Sequence, residues 1–306
     1  MKKLIIEVAL NEYVTRAEHP DVPRTEEEIA AQAVECAEAG ASIVHFHPRT
    51  RGPDRMDIDR AEDVEFYART MKLIAERSDI IAYPTYAVSD ATKDASINAF
   101  PHVRALREST TAPLETFVYF IGATNLGRWS PERQEWLMDR VTGATHDVSV
   151  DFLGWCKESG LTPQFGVREI GHLRHIEMYR QMGLVKAPIV LHLNLSHSEA
   201  FGPPVTAEGI LALLRFVPPE WGAEWFAHNY HNSFNADAGA EDRHRLLNAL
   251  AVCMDGHVRT GVGDLPGWGR PQLRNAEMVE RFVAIAETVG REVASPRETR
   301  QMLGFA

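Results

Sequence analysis

Two hydrophobic rhythms alternate along this chain: short runs rich in Ile, Leu, Val and Phe, and longer stretches with an apolar residue every three or four positions. The first kind fits strands and the second amphipathic helices. LIIEVAL (4–10) reads as a strand. TEEEIAAQAVECAEAG (25–40) reads as a helix, with Thr25 as N-cap, Glu28 three residues later and Gly40 at the close. SIVHFH (42–47), DIIAYPT (79–85), ETFVYFIG (115–122), TPQFGV (162–167), PIVLHLNL (188–195), AEWFAHNY (223–230) and HVRTGVG (257–263) continue the strand series. Helical spacing is predicted near 60–77, 93–107, 131–141, 147–159, 172–183, 206–217, 242–254 and 275–290, and PRETRQMLGF ends the chain.

Eight strand-and-helix units with no long linker predict an α/β protein: a (β/α)8 TIM barrel, a single domain over residues 1–306. A doubly wound open sheet is the competing arrangement. It would place a Gly-rich phosphate turn after the first strand, and ALNEYVTR supplies none.

Composition narrows the function classes. The chain is 44% hydrophobic and 25% charged, as a globular protein is. No apolar run approaches the roughly 20 residues that span a membrane. Glu7 interrupts the apolar stretch of MKKLIIEVALNE, which therefore fits a first strand better than a signal peptide. Cys36, Cys156 and Cys253 show no CxxC spacing, which fits a reducing cytoplasm rather than a disulfide framework. A net charge of −11 argues against non-specific nucleic-acid binding.

In a barrel, chemistry gathers at the carboxyl ends of the strands. Those ends carry Asn11 and Glu12; His45, His47 and Arg49; Thr85 and Tyr86; Thr124 and Asn125; His192, Asn194 and His197; His228, Asn229 and His231; and Arg259 with Asp264. Side chains at positions i and i+2 of a strand share a face about 7 Å apart. His45 and His47 are therefore either half of a divalent-metal site, or one core histidine and one exposed one. Arg259 beside Asp264 either holds a substrate carboxylate and orients a base, or is an internal ion pair fixing a loop. Glu12 is a ligand, a base, a partner for a cationic group or a loop cap. GDLPGWGRP (263–271) lacks a P-loop lysine.

With these residues in view, the chain resembles the β-keto acid cleavage enzymes, the family named for 3-keto-5-aminohexanoate cleavage. VAL (8–10), the HPDVPRT…HFHPR run (19–49), GHVRTGVGD (256–264), NAEMVERFVAIAETVGR (275–291) and the final ASPRETRQMLG carry the likeness over nearly the whole chain. The resemblance implies a Zn²⁺-dependent (β/α)8 barrel, usually a homotetramer, combining a β-keto acid with acetyl-CoA to give acetoacetate and a new CoA thioester. It makes His45 and His47 metal ligands and Arg259 and Asp264 catalytic, with Glu12 an approximate match to the family's acidic residue near the end of strand one. Arg49, Thr85 and Asn125 are the expected substrate contacts. Where the family carries a ligating Glu directly before the Asp, this chain has Gly263; Glu12 and His228 are the two candidates for the missing ligand. The alternatives are a metal-dependent hydrolase or lyase that works without CoA, and a metal-free protein that binds a small anion.

Overall fold

The computed structural model describes residues 1–48, 60–85, 100–109, 112, 114–230, 239–267, 269 and 271–305. Eight parallel strands form the barrel: β1 (Ile6–Ala9), β2 (Ile43–Phe46), β3 (Ile81–Pro84), β4 (Thr116–Phe120), β7 (Thr162–Val167), β8 (Val190–Leu195), β9 (Glu224–Asn229) and β10 (His257–Thr260). Their order, β3-β2-β1-β10-β9-β8-β7-β4, runs once around the wall, with the seam between β3 and β4 carrying no ladder among the described residues. The intervening helices are α1 (Glu26–Glu38), α2 (Arg60–Ala75), α3 (Pro101–Ser109), α4 (His146–Ser159), α5 (Ile170–Gln181), α6 (Ala207–Leu214), α7 (Ala240–Cys253) and α8 (Asn275–Thr288). A last helix, α9 (Pro296–Leu303), follows them. This is the (β/α)8 barrel that the alternating pattern predicts.

Local signals explain several boundaries. Thr25 and Glu28 form the predicted capping box at the start of α1, satisfying N–H groups that have no partner within the helix. Ser295 and Glu298 repeat the device at α9, with Pro296 in the first turn. Between wall and helices the core is Leu, Ile, Val and Phe, including Ile43, Phe165, Leu191, Leu247 and Phe282.

One expected helix is absent. Residues 131–141 instead form the turn and second strand of a hairpin, β5 (Ala123–Ser130) with β6 (Glu135–Gly143), inserted between β4 and α4. The helix-forming letters of PERQEWLMDR are overridden by cross-strand pairing. Trp129 faces Trp136 with ring centroids 5.4 Å apart, and Trp136 lies over Gly127, where a Cβ would come within 2.7 Å of its ring.

The barrel interior is polar on one side. Glu7, wholly buried, accepts from Tyr83 Oη at 2.6 Å and from Arg259 Nη1 at 2.7 Å. His192 Nε2 lies 3.6 Å from Glu7 and 2.7 Å from Gln164 Oε1, which carries the network across to β7 and β8.

Candidate metal-binding active site

The carboxyl ends of β1 and β2 are tied together by Asn11. Its side chain donates to the carbonyls of His47 and Pro23, each at 3.1 Å, and its Oδ1 accepts from the His47 N–H at 2.8 Å. Leu10 N–H also donates to the His45 carbonyl at 2.9 Å. This clamp turns the chain so that Glu12, at φ +39°, faces β2. A non-glycine residue in the left-handed region is strained, and such strain persists where surrounding contacts hold it.

Glu12 then meets both histidines. Its Oε1 lies 3.1 Å from His45 Nε2 and its Oε2 lies 2.5 Å from His47 Nε2. One donor atom from each of the three residues falls within 4.8 Å of the others. Tyr13 stands edge-on to the His47 ring and Tyr83 lies against His45, each with centroids 4.8 Å apart, which limits rotation of both imidazoles. Burial pushes His45 down, against the opposing pull of Glu12, so its ring is held as a neutral nitrogen donor. Burial alone would raise Glu12. The two histidines, His47 first, outweigh it and keep the carboxyl well below its usual range. Two imidazoles and a carboxylate form a donor set suited to a divalent cation such as Zn²⁺.

Arg259 is saturated with acidic partners. Nε donates to Asp264 Oδ2 at 3.0 Å and Nη2 to Asp264 Oδ1 at 3.2 Å and Glu12 Oε1 at 2.6 Å. Nη1 serves Glu7 and, at 3.3 Å, Tyr83. Desolvation would lower this guanidinium, but Asp264, Glu7 and Glu12 outweigh it and hold the pKa well above normal. Of the readings of the Arg259–Asp264 pair, the geometry counts against the grip on a substrate carboxylate, since every Arg259 nitrogen already has a partner, and leaves open the orienting of Asp264.

Asp264 is also buried. Burial would raise its carboxyl, yet Arg259 and then His228 hold it at about 2. His228 Nε2 stands 3.5 Å from Asp264, while its Nδ1 is 2.7 Å from Asn194 Oδ1. That second contact makes Nδ1 the donor to Asn194 and leaves Nε2 facing Asp264. His228 therefore joins the site through Asp264, and Glu12 joins the two histidines.

The other expected contacts scatter. Thr85 follows β3, its N–H donating to the Phe46 carbonyl at 2.9 Å. Asn125 sits exposed on the hairpin opposite Val141. Arg49, like Tyr86 and His231, lies outside the described residues. Two site members escaped the sequence reading, Glu7 and Tyr83. Glu7 had left a signal, a lone acid inside an otherwise apolar strand, which the reading used only to argue against a signal peptide.

A parallel barrel gathering ionisable side chains at the carboxyl ends of its strands has the architecture of a barrel enzyme. The chain belongs to the beta-keto acid cleavage enzyme family, whose profile matches residues 3–305. It is 28% identical over 313 aligned residues to the 3-keto-5-aminohexanoate cleavage enzyme of Fusobacterium nucleatum subsp. nucleatum, spanning 100% of this chain and 99% of that one. It is 25% identical to the 3-dehydrocarnitine:acetyl-CoA trimethylamine transferase of Rhizobium meliloti, over 95% of this chain and 91% of the relative. The structure of ObcA with oxaloacetate superposes with a TM-score of 0.63 over 94% of this chain and 68% of that one. At 13% identity that likeness concerns the fold alone.

Proposed function

We propose that this protein cleaves a β-keto acid by combining it with acetyl-CoA, releasing acetoacetate and a new CoA thioester, with zinc or another divalent cation held by His45, His47 and Glu12. The carrying observation is that this donor set shares Glu12 with the Arg259–Asp264 pair at one end of the barrel. The names of the two relatives, one a keto-acid cleavage enzyme and one using acetyl-CoA, support the same reading.

When bound, the cation supplies Lewis acidity toward the keto oxygen. Asp264 removes the proton from the carbon that attacks the thioester. Arg259 grips both Asp264 oxygens and fixes the base in place. A carboxylate held at about 2 is a weak base, and His228 Nε2, 3.5 Å away, is placed to take the proton onward. Arg49, which lies outside the described residues, Thr85, directly after β3, and Asn125, on the hairpin, remain the proposed substrate contacts. The reading also carries a single-domain chain, a cytoplasmic location and, as the family resemblance implies, a homotetramer.

The test is a panel of β-keto acids assayed with and without acetyl-CoA, together with metal analysis of protein purified without chelator. Turnover that requires acetyl-CoA and about one equivalent of metal per chain is expected. Turnover indifferent to acetyl-CoA would replace this reading with a hydrolase or lyase. Less than about a tenth of an equivalent of metal would remove the cation from it. His45→Ala should lose the metal, and a variant that keeps it in full would defeat the ligand assignment.

A further inference from the structure

Three arginines of the described chain are buried almost completely: Arg168, Arg259 and Arg291. Two are saturated. Arg259 binds its carboxylates, and Arg291 donates to the carbonyls of Lys2, Lys3, Ala251 and Val252. Arg168 is different. Its Nη1 reaches Thr142 Oγ1 at 3.4 Å, while Nε and Nη2 have no hydrogen-bond partner. A buried guanidinium with two idle donors is costly, and such exceptions point to a missing partner.

The geometry of the idle edge says what that partner is. Nε and Nη2 form the side of the guanidinium that presents two parallel N–H groups to a two-oxygen anion. The same edge grips both oxygens of a carboxylate elsewhere among the described residues: Arg180 on Glu177, Arg300 on Glu115 and Arg259 on Asp264. At Arg168 the guanidinium is also walled by aromatic rings. Its Cζ lies 3.9 Å from the centroid of Phe120, 5.2 Å from Tyr230 and 5.3 Å from Phe201. These rings hold it still without using its in-plane donors.

The position is that of a substrate contact. Arg168 directly follows β7, at the carboxyl end of the wall. Tyr230 links it to the site: the Tyr230 ring is 5.6 Å from the His228 ring, and His228 reaches Asp264. Arg259 has no donor to spare, so Arg168 is the buried arginine able to receive an anion. We infer that Arg168 anchors a carboxylate at the end of the substrate remote from the reacting carbons, so that the β-keto acid is one bearing a second carboxylate. The substrate class rests on the function proposed above; the anion site does not. The rings of Phe120, Phe201 and Tyr230 would pack against the methylenes joining the two ends.

Calorimetric titration of the full-length protein, as purified, tests this with glutarate and butyrate as probes. Glutarate should bind at least about tenfold more tightly than butyrate. Arg168→Met should weaken glutarate on the order of 100-fold, the effect of losing two charge-assisted bonds, and leave butyrate unchanged. The thermal midpoint should hold or rise, because replacing a buried unpaired charge with an apolar chain of similar size removes a desolvation cost. A lower midpoint with glutarate binding intact would make Arg168 a structural pillar and overturn the inference. Equal binding of the two probes by the wild type would overturn it too, as would loss of acetyl-CoA affinity alone, which would give the anion to a CoA phosphate. Should Arg168→Met fail to fold, Arg168→Lys keeps the charge and loses the fork; undiminished glutarate binding there would be equally fatal. Because the titration needs no turnover, a failed cleavage assay would overturn the proposed function while leaving the anion site standing.

Discussion

Gly263 and Glu12 fit together because one has no side chain. A Cβ on Gly263 would stand 2.6 Å from Glu12 Cγ and 2.9 Å from both the Ala9 carbonyl and the Glu12 nitrogen. The carboxylate that faces His45 and His47 fills the space that any larger residue at 263 would take. Where the family resemblance implies a ligating Glu directly before Asp264, this chain has Gly263, and the acid facing the two histidines is Glu12.

Gly263→Ala should therefore push Glu12 off the histidines. Two of the three close atoms are backbone and cannot swing aside, so an overpacking cost of about 1–3 kcal/mol accompanies the shift. Metal affinity, measured by competition with a chelator, should fall roughly 10–100-fold, the usual effect of disturbing a ligand's support. Unchanged affinity would show that Glu12 is not a ligand.

Arg259→Met should be among the most damaging single changes. It leaves Glu7, Glu12 and Asp264 facing one another without their shared cation, and breaking a buried pair in this way costs about 3–5 kcal/mol. The orphaned carboxyls of the folded variant then titrate above their unfolded values. Their repulsion is relieved as pH falls, so the deficit in urea denaturation should be smaller at pH 5.5 than at pH 7.5. A deficit that is constant across this range would mean the network is not electrostatic in origin.

His172 supplies an acid-sensitive contact behind the hairpin. Burial pushes its imidazole down to about 4, although the Ala123 carbonyl at 3.3 Å favours the charged form. Its Nδ1 accepts from the Arg168 N–H at 3.3 Å. The unfolded chain takes up a proton near pH 6.5 and the folded chain only near 4. The stability involved is thus fully present above about 6.5 and is lost as pH falls toward 4, by roughly 3 kcal/mol. His172→Asn keeps both an acceptor and a donor but cannot titrate. Its denaturation midpoint should fall less steeply than the wild type's between pH 6.5 and 4, and parallel curves would assign the acid limb to other groups.

The sequence alone determined the barrel. Eight strands and their helices follow from local hydrophobic period, and the cap at Thr25 from short-range hydrogen bonding. His45 and His47 were legible for the same reason, since alternate residues of one strand must share a face. The hairpin was not, because the pairing of Trp129 with Trp136 outweighs the helix preference of the letters around it. Which acid joins the histidines was likewise undecidable from the chain, where Glu12 and Gly263 stand far apart. Tertiary structure decided it by closing β10 against β1, so that a missing side chain on one made room for a carboxylate on the other. It also decided that Arg259 is spent on internal carboxylates while Arg168 keeps two buried donors idle. Such matters depend on which groups meet across the barrel, and no local pattern records that.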